Sequence, residues 1–587
     1  MTHRPLKHVA VVGAGAAGAF FTLELSRLRP DVTIDLYDRS SRGPGAGIVM
    51  STAFTDRIQA AFPRAFAVAP ADMATWDRIV TLIGDESIWS GAFGTFGLRR
   101  RAFHSHVREL AAACPQVRLI RRTVTSLPYG HGEPDAADGR GTPDVVVLAD
   151  GAGSRLRRDN EELFGTTVSS GRTRFLWLSA PVALEPSFVL KDLGPGLLIV
   201  HSYPHSDSES TFIVEADPAT LSAHRLDDRP LPEIEKDLAG IFTDELRGAP
   251  LHAQTAGWQS FRTVVNARWH DGRTVLLGDA AHTVHFSTGS GTSLAIDDAL
   301  CLAGALAGEA SVPDALDSYA RTRQPVAGAA QAEARESMTW FEALSRRERV
   351  DGHRTVFALR SRREANTFER LRDRDPEFVA KAVEQLAGRP TDAEPVDVPL
   401  SVGELTVVER VGGLPPSGPL VTAGAPAGQP MGVSLRTGAG EVLCPITDDV
   451  SAVAALRAAG APAVGLLVPD PEPGDRAEDH GPRDPAAHLG PGDQDRREEP
   501  LPGGRAADFL VVPSRPGGGR VARSERSEEL VRTGRLPVLL LCPEDLSRDE
   551  INTLVLASRA DLVLCGAAGV TPAPAAPGVS RPSDEKR

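Results

Sequence analysis

The first apolar segment of the chain places the strongest constraint on its fold. Residues 8–28 read HVAVVGAGAAGAFFTLELSRL, so Gly13, Gly15 and Gly18 stand directly after an apolar strand and directly before a helix. In this arrangement the first glycine permits a tight turn, the second lets the backbone approach a pyrophosphate, and the third lets the helix pack on the strand. The segment therefore predicts a strand–turn–helix unit that can bind a dinucleotide.

A second predicted strand extends this pattern. The segment VTIDLYD ends in Asp38, which lies 20 residues after Gly18, about the distance at which a carboxylate meets a ribose hydroxyl. The first turn of the helix, at Ala16 and Ala17, would direct free N–H groups towards the phosphates. We expect a Rossmann-type α/β domain; a glycine-rich turn without a ligand is the simpler alternative, and the motif alone does not separate FAD from NAD.

Two later segments repeat the strand-then-turn form. DVVVLADGAGSRLRRD places Asp150 and Gly151 after an apolar strand, although a structural turn alone would explain an Asp-Gly pair. TVLLGDAAH places Gly278 and Asp279 after another strand. Open α/β sheets bind their ligands at the carboxyl ends of the strands, so Asp279 is a candidate binding residue.

In this order, the three motifs resemble those of the group A flavoprotein monooxygenases, which share a p-hydroxybenzoate hydroxylase-like fold. The resemblance implies FAD as cofactor and NAD(P)H as co-substrate. It implies that Asp38 meets the AMP ribose, that Asp150 and Gly151 lie near the pyrophosphate, and that Gly278 and Asp279 hold the ribityl chain and pyrophosphate.

A fourth family feature is an arginine-bearing helix. LRRRAFHSHVREL resembles the Arg-x-x-hydrophobic helix of the family, which implies that Arg100 faces the flavin. Arg99 and Arg101 are the alternatives, because the register of the helix is open.

The loop after Asp279 supplies the remaining candidates. Gly289, Ser290 and Gly291 would bring their amides close to the flavin ring, ahead of a helix that starts near Thr292. His285 is the candidate catalytic acid or base, since a histidine exchanges protons near neutral pH; a hydrogen bond that only holds the loop is the alternative.

Three nearby residues are assigned to structure. We expect His282 to be structural, and Asp297 and Asp298 to face solvent or to cap an interaction, because the helix around them has apolar residues at the spacing of a packed face.

Over residues 7–385 the chain resembles salicylyl-CoA 5-hydroxylase and anthraniloyl-CoA monooxygenase. This resemblance implies O2-dependent hydroxylation of an electron-rich aromatic ring, carried as a thioester of CoA or of a carrier protein, through a flavin C4a-hydroperoxide. At residues 285–287 this chain has His-Phe-Ser, and violacein-pathway hydroxylases carry a similar His-Tyr-Ser motif. A free or indole-like aromatic in a biosynthetic pathway is therefore the alternative substrate. Ser293 stands where the branch often has lysine, which weakens the acyl-CoA assignment.

The predicted fold class is α/β with an α+β insertion, followed by a truncated (β/α)-barrel-like region. The predicted divisions are an FAD-dependent monooxygenase domain at 1–385 with an antiparallel substrate sheet at roughly 165–270, a linker at 386–400, a C-terminal domain at 401–567, and a disordered tail at 568–587. The segment 469–505 is Pro/Gly-rich and polar, and we expect it to be disordered.

The C-terminal domain resembles a degenerate old yellow enzyme. It is shorter than the roughly 250 residues of a full barrel, its only histidines are His480 and His488, and the last tyrosine of the chain is Tyr319. We therefore expect no FMN there and a non-catalytic role in structure or partner contact. A flavin-binding relic that acts only as a scaffold is the non-enzymatic alternative.

The composition of the chain argues against several classes of binding partner. A net charge of −14 argues against nucleic acid, and no apolar stretch reaches the ~20 residues of a membrane span. The five cysteines are scattered without a CxxC pair, which suits a reducing compartment and gives no metal site. With no signal peptide recognised, we expect a cytoplasmic protein, with a homodimer as the candidate assembly.

Overall fold

The computed structural model describes most of the chain. The described residues are 6–39, 47–91, 94–127, 142–345, 352–412, 431–447, 450–468, 507–514, 521, 524, 527, 530–531, 536–542 and 546–565. The segments predicted to be disordered, 469–505 and 568–587, lie outside them.

The chain divides into two compact units, Met1–Gly352 and His353–Arg587. This division falls N-terminal of the predicted boundary at 385, and the predicted domain limits stay a prediction.

The first unit contains sixteen strands among its described residues. They are β1 His8–Val12, β2 Thr33–Asp38, β3 Gly47–Ser51, β4 Met73–Trp76, β5 Ile79–Ile83, β6 Glu86–Ser90, β7 Thr95–Arg99, β8 Val117–Arg121, β9 Val145–Leu148, β10 Thr166–Ala180, β11 Ser187–Asp192, β12 Leu197–Pro204, β13 Ser210–Ala216, β14 His252–Ala253, β15 Gln259–Asn266 and β16 Thr274–Leu276.

Helices connect and cover these strands. They are α1 Ala16–Leu28, α2 Thr52–Ala61, α3 Arg100–Ala112, α4 Arg155–Arg158, α5 Glu161–Phe164, α6 Pro218–Ala223, α7 Leu231–Ile241, α8 Gly291–Gly308 and α9 Val312–Ser345, with short 3-10 helices at Pro70–Asp72, Gly278–Ala280 and Phe286–Thr288.

A five-stranded parallel sheet forms the core of the first unit. Its order is β16-β9-β1-β2-β8, and every neighbouring pair is parallel. β1, β9 and β16 are buried along their whole length, as expected for parallel strands covered on both faces. Strands that are distant in sequence are thus neighbours, and their carboxyl ends share one edge.

The second sheet has eight strands and is mainly antiparallel. Its order is β14-β10-β13-β12-β11-β5-β6, with β15 paired to β10. β10 begins at Thr166 and β15 ends at Asn266, close to the predicted limits of 165 and 270. β5 and β6 come from residues 79–90 and were not anticipated; β5 pairs in parallel with β11. A smaller antiparallel sheet has the order β3-β7-β4.

The second unit combines helices with one large sheet. Its elements are α10 Gly352–Arg360, α11 Phe368–Arg374, α12 Pro376–Ala387, a 3-10 helix Pro395–Asp397, β17 Leu400–Val402, β18 Leu405–Val407, β19 Val411–Gly412, β20 Met431–Thr437, β21 Gly440–Thr447, α13 Val450–Ala458, β22 Gly465–Leu467, β23 Phe509–Pro513, β24 Val538–Leu541, α14 Arg548–Leu556 and β25 Leu562–Leu564.

Parallel strands dominate this sheet. The strands β21, β22, β23, β24, β25 and β19 are neighbours in that order, and each pair is parallel. A Cβ atom on Gly412 of β19 would lie 2.7 Å from Val433 of β20, so the last strand of the series packs against β20. The sheet therefore curls back on itself, in agreement with the predicted barrel-like region.

Among the described residues, no helix is both long enough and apolar enough to cross a membrane. Nor do these residues contain a group of three or more His, Cys, Asp or Glu side chains that could hold a metal ion.

Candidate active site

The parallel sheet brings the three sequence motifs to one edge. Gly13 follows β1, Asp150 follows β9 and Gly278 follows β16, and these three strands are adjacent. The backbone N–H of Ala149 donates to the Val12 carbonyl at 2.8 Å, and that of Leu277 donates to the Leu148 carbonyl at 2.9 Å. The loops that begin at these positions consequently lie side by side.

The three glycines of the first motif have different surroundings. Gly13 has φ +107°, and a Cβ there would lie 2.3 Å from the Ala149 carbonyl oxygen. A Cβ on Gly18 would lie 1.9 Å from the Gly13 carbonyl oxygen. At Gly15 no described atom lies within 4 Å of a built Cβ. The chain itself excludes side chains at the first and third positions, while the second presents open backbone.

Helix α1 starts directly behind this open backbone. It begins at Ala16, and no side chain caps its N-terminus, since the N-cap residue is Gly15. The first N–H groups of a helix lack partners within the helix, and together with the helix dipole they favour an anion such as a phosphate. The predicted phosphate-binding turn at Gly15, Ala16 and Ala17 thus has the required geometry.

Asp38 is the last residue of β2, next to the glycine turn. The Gly13 N–H donates to the carbonyl of Tyr37 at 2.8 Å, which fixes the distance between turn and strand end. The half-buried Asp38 carboxylate forms an ion pair with Arg108 of α3, with 3.1 Å between Oδ2 and Nη1. Arg108 was not singled out from the sequence.

Asp150 has an unpaired buried atom. Its Oδ1 has no hydrogen-bond partner among the described residues. Burial raises the pKa of its carboxyl, although Ser154, Arg157 and Arg39 act in the opposite direction. The neighbouring Gly151 has φ +86° and open space where a side chain would be. A buried polar atom without a partner is costly, and this one suits a hydrogen-bond donor on a bound molecule.

Arg157 connects the second and third motifs. Its guanidinium is buried and donates to the carbonyl of Ala152 at 2.9 Å and to that of Ala280 at 3.0 Å. The sequence shows Arg157 in the helix after the Asp-Gly pair, but nothing local reveals that it holds a loop more than 120 residues away.

Asp279 occupies the turn after β16. Its side chain is accessible to solvent, yet the surrounding protein raises the pKa of its carboxyl, against the opposing charges of His282 and Arg100. Gly278 is confined between Ala17 of α1 and Ala295 of α8, each 3.0 Å from a built Cβ.

Of the three consecutive arginines, Arg100 is the one near Asp279. Arg99 is held by Asp72, with 2.6 Å between Nε and Oδ1, and by Glu209, and Arg101 is exposed. The Arg100 guanidinium lies 5.8 Å from the ring centre of Trp177, and its buried Nε has no hydrogen-bond partner among the described residues. Burial lowers the pKa of Arg100, opposed by Tyr203 and Asp279.

The loop after Asp279 ends at the start of α8. Gly289 has φ +63°, Ser290 is the N-cap without a side-chain hydrogen bond to the helix, and α8 begins at Gly291, one residue before the predicted Thr292. No N-cap side chain satisfies the first N–H groups of this 18-residue helix, so they point into the loop that leads from Asp279.

His285 lies within this loop and is 2% exposed. Its Nδ1 is 2.7 Å from the Ser287 hydroxyl oxygen, which is in turn 2.7 Å from that of Ser337 on α9. The Ser287 backbone N–H also donates to Nδ1 at 3.4 Å, and Nε2 is the basic nitrogen of the ring in the tautomer in which Nδ1 carries the proton and donates it to the Ser287 hydroxyl. The ring also contacts Phe261, with 4.8 Å between ring centres. Both predicted roles, proton exchange and loop support, fit these contacts.

The structure corrects one expectation about α8. Asp298 does not face solvent: it is 0% exposed and pairs with His282 Nε2 at 2.7 Å and with Arg323 Nε at 2.6 Å. The residue lies on the buried face of α8, where Arg323 of α9 neutralises its charge and His282 of the preceding loop forms a hydrogen bond with it. Asp297 forms a partly exposed ion pair with Arg57, and His282 has the structural position that was expected.

One face of the antiparallel sheet is lined with rings, of which the sequence singled out only Phe286. Phe286 lies 4.9 Å from Phe175, 6.0 Å from Trp177 and 5.2 Å from His201, measured between ring centres. His201 is also 4.7 Å from Phe341 of α9. We call this surface the aromatic face; its members are Phe175, Trp177, Phe188, His201, Phe261, Phe286 and Phe341.

The site as a whole combines an elongated polar edge with an apolar wall. Glycine turns, helix N-termini and partnerless buried polar atoms at the carboxyl edge of the parallel sheet fit the phosphates and hydroxyls of a dinucleotide. Arg100 and the start of α8 lie between this edge and the aromatic face, which suits an apolar ring substrate.

Comparisons with known proteins agree with this geometry. A family model described as "FAD binding domain" matches residues 135–334, and one described as "FAD-NAD(P)-binding" matches residues 10–153. Salicyloyl-CoA 5-hydroxylase from Streptomyces sp. is 34% identical, over 68% of this chain and 78% of its own length.

Two further relatives have similar identity. A 3-hydroxy-4-methyl-anthranilyl-[aryl-carrier protein] 5-monooxygenase from Streptosporangium sibiricum is 33% identical, over 57% of this chain and 89% of its own. Protodeoxyviolaceinate monooxygenase from Chromobacterium violaceum is 30% identical, over 61% and 95%.

Fold, site and family models define an FAD-binding flavoprotein. More specifically, the chain belongs to the FAD-dependent aromatic monooxygenases. FAD is its cofactor and NAD(P)H its reductant, as the sequence predicted.

Proposed function

We propose that the enzyme hydroxylates an electron-rich aromatic ring that is carried as a thioester of CoA or of a carrier protein. The observation that carries this proposal is the pair of relatives whose names specify a CoA and a carrier-protein substrate, at 34% and 33% identity. The aromatic face, with Phe286 at its centre, supports it because stacked and edge-on rings favour an aromatic ligand.

The residues at the sheet edge would hold FAD. Gly15 and the first turn of α1 would bind its phosphates, Asp38 the ribose, Asp150 a donor group near the pyrophosphate, and Asp279 the ribityl hydroxyls. The unpaired Asp150 Oδ1 and the open Cβ position of Gly15 support this assignment. The α8 N-terminus, at Gly289 to Thr292, and Arg100 would stabilise negative charge on the ring system.

Bound FAD, once reduced by NAD(P)H, supplies the activated oxygen that reacts with the substrate. The protein must orient the substrate, exclude water and accept the proton that the ring's OH or NH2 group loses. His285 is the group we propose for that proton, at Nε2. The contacts of Nδ1 with Ser287, and of Ser287 with Ser337, would keep the ring in a fixed orientation.

A second candidate is hydroxylation of a free or indole-like aromatic. Similarity to protodeoxyviolaceinate monooxygenase favours it, as does Ser293 in the first turn of α8 at a position where the thioester branch often has lysine. In either case the proposed enzyme is cytoplasmic, acts on a small molecule with O2, and has a homodimer as its candidate assembly.

The test is NAD(P)H oxidation and product formation by the purified flavoprotein. Salicylyl-CoA, 2-aminobenzoyl-CoA and the two free acids are offered separately. We expect the thioesters to stimulate oxidation and to yield a hydroxylated ring, and the free acids not to. Stimulation by the free acids alone would contradict the thioester proposal and favour the second candidate, and no stimulated turnover with any ring would contradict both readings of the substrate.

A further inference from the structure

A buried carboxylate lies on the aromatic face of the antiparallel sheet. Glu215 of β13 is directly opposite Phe175 of β10 in the strand pairing, and residues opposite each other project from the same face. It is 1% exposed. A buried charge needs partners, so its contacts indicate what it does.

Glu215 has two hydrogen-bond donors. The Thr173 hydroxyl donates to Oε1 at 2.7 Å, and His201 Nε2 lies 3.1 Å from Oε2. Burial raises the pKa of the Glu215 carboxyl, but the hydrogen bond from His201, the charges of His285 and His201 and the bond from Thr173 outweigh it, so the pKa lies below the usual value. The carboxylate is thus held in its charged form.

The carboxylate acts on two histidines. His201 touches it directly, and the His201 ring contacts Phe286, which follows His285 and lies 4.1 Å from it between ring centres. The rings of His201 and Phe286 thus connect the carboxylate to His285. A single negative charge on an otherwise aromatic wall stabilises a proton on a nearby imidazole much more than it would in water.

The other charged groups around Glu215 point elsewhere. Arg174 neighbours Phe175 on β10 and therefore projects from the opposite face. Glu342 of α9 accepts a hydrogen bond from the backbone N–H of Arg172 at 2.6 Å. Among the described residues, His201 of β12 and His285 of the loop after Asp279 are the titratable groups whose charges lower the pKa of the Glu215 carboxyl.

We propose that Glu215 is a positioning residue for hydroxylation: it orients His201 and provides the negative charge that lets His285 take up the substrate's proton. With a hydroxyl substrate the O–H bond breaks, its electron pair stays on the oxygen, and the proton moves to His285 Nε2; with an amino substrate the nitrogen lone pair enters the ring as the C–O bond forms, and the proton then moves to Nε2 from the cationic nitrogen. The proton returns to the product when the product leaves. This inference rests on the proposed role of His285 and adds the buried charge that stabilises the accepted proton on its ring.

The test compares Glu215→Gln with two controls in the full-length holoenzyme. Thr173→Val removes a hydrogen bond to Glu215 but keeps its charge. Asp35→Asn removes the carboxylate of another buried pair, in which Asp35 Oδ2 lies 3.0 Å from His8 Nε2 in the parallel sheet, away from the aromatic face. Two quantities are measured: turnover against pH with the stimulating thioester, and the titration of the His285 ring by NMR, assigned with His285→Asn.

In Glu215→Gln we expect the His285 ring to titrate at least about one pH unit lower, since an opposite charge nearby changes a pKa by roughly 1–3 units. The acidic limb of the turnover profile should move in the same direction, with a lower maximum. Thr173→Val should shift both far less, and Asp35→Asn neither. An unmoved His285 titration in Glu215→Gln overturns the proposal, as does a lower rate with an unmoved limb, which would indicate loss of packing alone.

The NMR titration needs no substrate, so it separates the two proposals. If no aromatic compound stimulates turnover but His285 titrates lower in Glu215→Gln, the proposed substrate fails while the link between Glu215 and His285 stands. If turnover is stimulated and His285 does not respond, only the role of Glu215 fails.

Discussion

Gly15 differs from Gly13 and Gly18 in what an added side chain would meet. The protein's own backbone excludes a Cβ at Gly13 and at Gly18, whereas no described atom lies near one at Gly15. Gly15 also has φ −71° and ψ −172°, a conformation open to any residue. We therefore propose that glycine at this position allows the approach of a ligand, whereas the packing of the chain itself requires glycine at Gly18.

This difference gives a paired prediction. Gly15→Ala should leave the unfolding free energy of the cofactor-free protein unchanged within about 0.5 kcal/mol while reducing the FAD retained on purification. Gly18→Ala should destabilise the cofactor-free protein by about 1–3 kcal/mol, because the added methyl overlaps the Gly13 carbonyl. Urea unfolding and flavin absorbance measure the two effects, and equal loss of stability in both variants would contradict the assignment.

At the same scale, the place of the motif residues in the fold was predictable from the sequence for a physical reason, while their binding roles stay a prediction. Gly13, Asp38, Asp150 and Asp279 each lie at the carboxyl end of a strand or within three residues of it, and a local pattern suffices to place the carboxyl end of a strand. Glu215 and His201 carry no such pattern, because their pairing depends on the register of β12 and β13, in which Ile199 and not His201 is opposite Glu215. Residue spacing alone does not give that register.

At the scale of elements, helix α8 connects three parts of the site. Its N-terminus faces the loop of His285, its Ala295 packs against Gly278, and its Asp298 joins His282 to Arg323 of α9. The sequence of α8 shows apolar residues at helical spacing. Because apolar residues occur on most sides of this helix, however, the sequence does not show which face is buried. Asp298 was misplaced because its partner Arg323 is 25 residues away and becomes a neighbour only when α8 and α9 pack.

Asp298 and Asp297 provide a matched pair on this helix. Asp298→Asn should lower the free energy of unfolding by about 3–5 kcal/mol, since removing one partner of a buried ion pair leaves uncompensated charge. Asp297→Asn should change it by about 0–1 kcal/mol, because its ion pair with Arg57 is partly exposed. Denaturant unfolding of both variants with FAD bound is the measurement, and a difference below about 1 kcal/mol between them would contradict the buried triad.

At the scale of the whole molecule, the two units carry different parts of the prediction. The first unit has the FAD-binding sheet and the aromatic face. The second has a curled sheet of parallel strands, as the barrel-like resemblance implied. Short buried strands such as β22 and β23 were visible as apolar runs, but the antiparallel β17, β18 and β20 at one side of that sheet follow from pairing that no local pattern specifies.

This division predicts the flavin content of the whole chain. We expect the purified holoenzyme to release FAD at about one molecule per chain and no FMN, because the motifs for FAD lie in the first unit and the second has no tyrosine suited to an old-yellow-enzyme reaction. Chromatography of the flavins released by heat tests this against protein concentration. One FMN per chain would contradict the assignment of the second unit as non-catalytic.

The order β16-β9-β1-β2-β8 has a consequence for synthesis on the ribosome. β1 is made first but is flanked in the finished sheet by β9, and β9 by β16, so the nascent chain holds an incomplete edge until Leu276 has emerged. From Gly13 to the start of α8 at Gly291 there are 278 residues, roughly 14–56 s of translation at about 5–20 residues per second. During that interval the glycine turn exists without the loops that complete its pocket. FAD can therefore bind only late in synthesis. Until then β1 and β2 expose unpaired strand edges, and the nascent chain is most prone to aggregate during this interval.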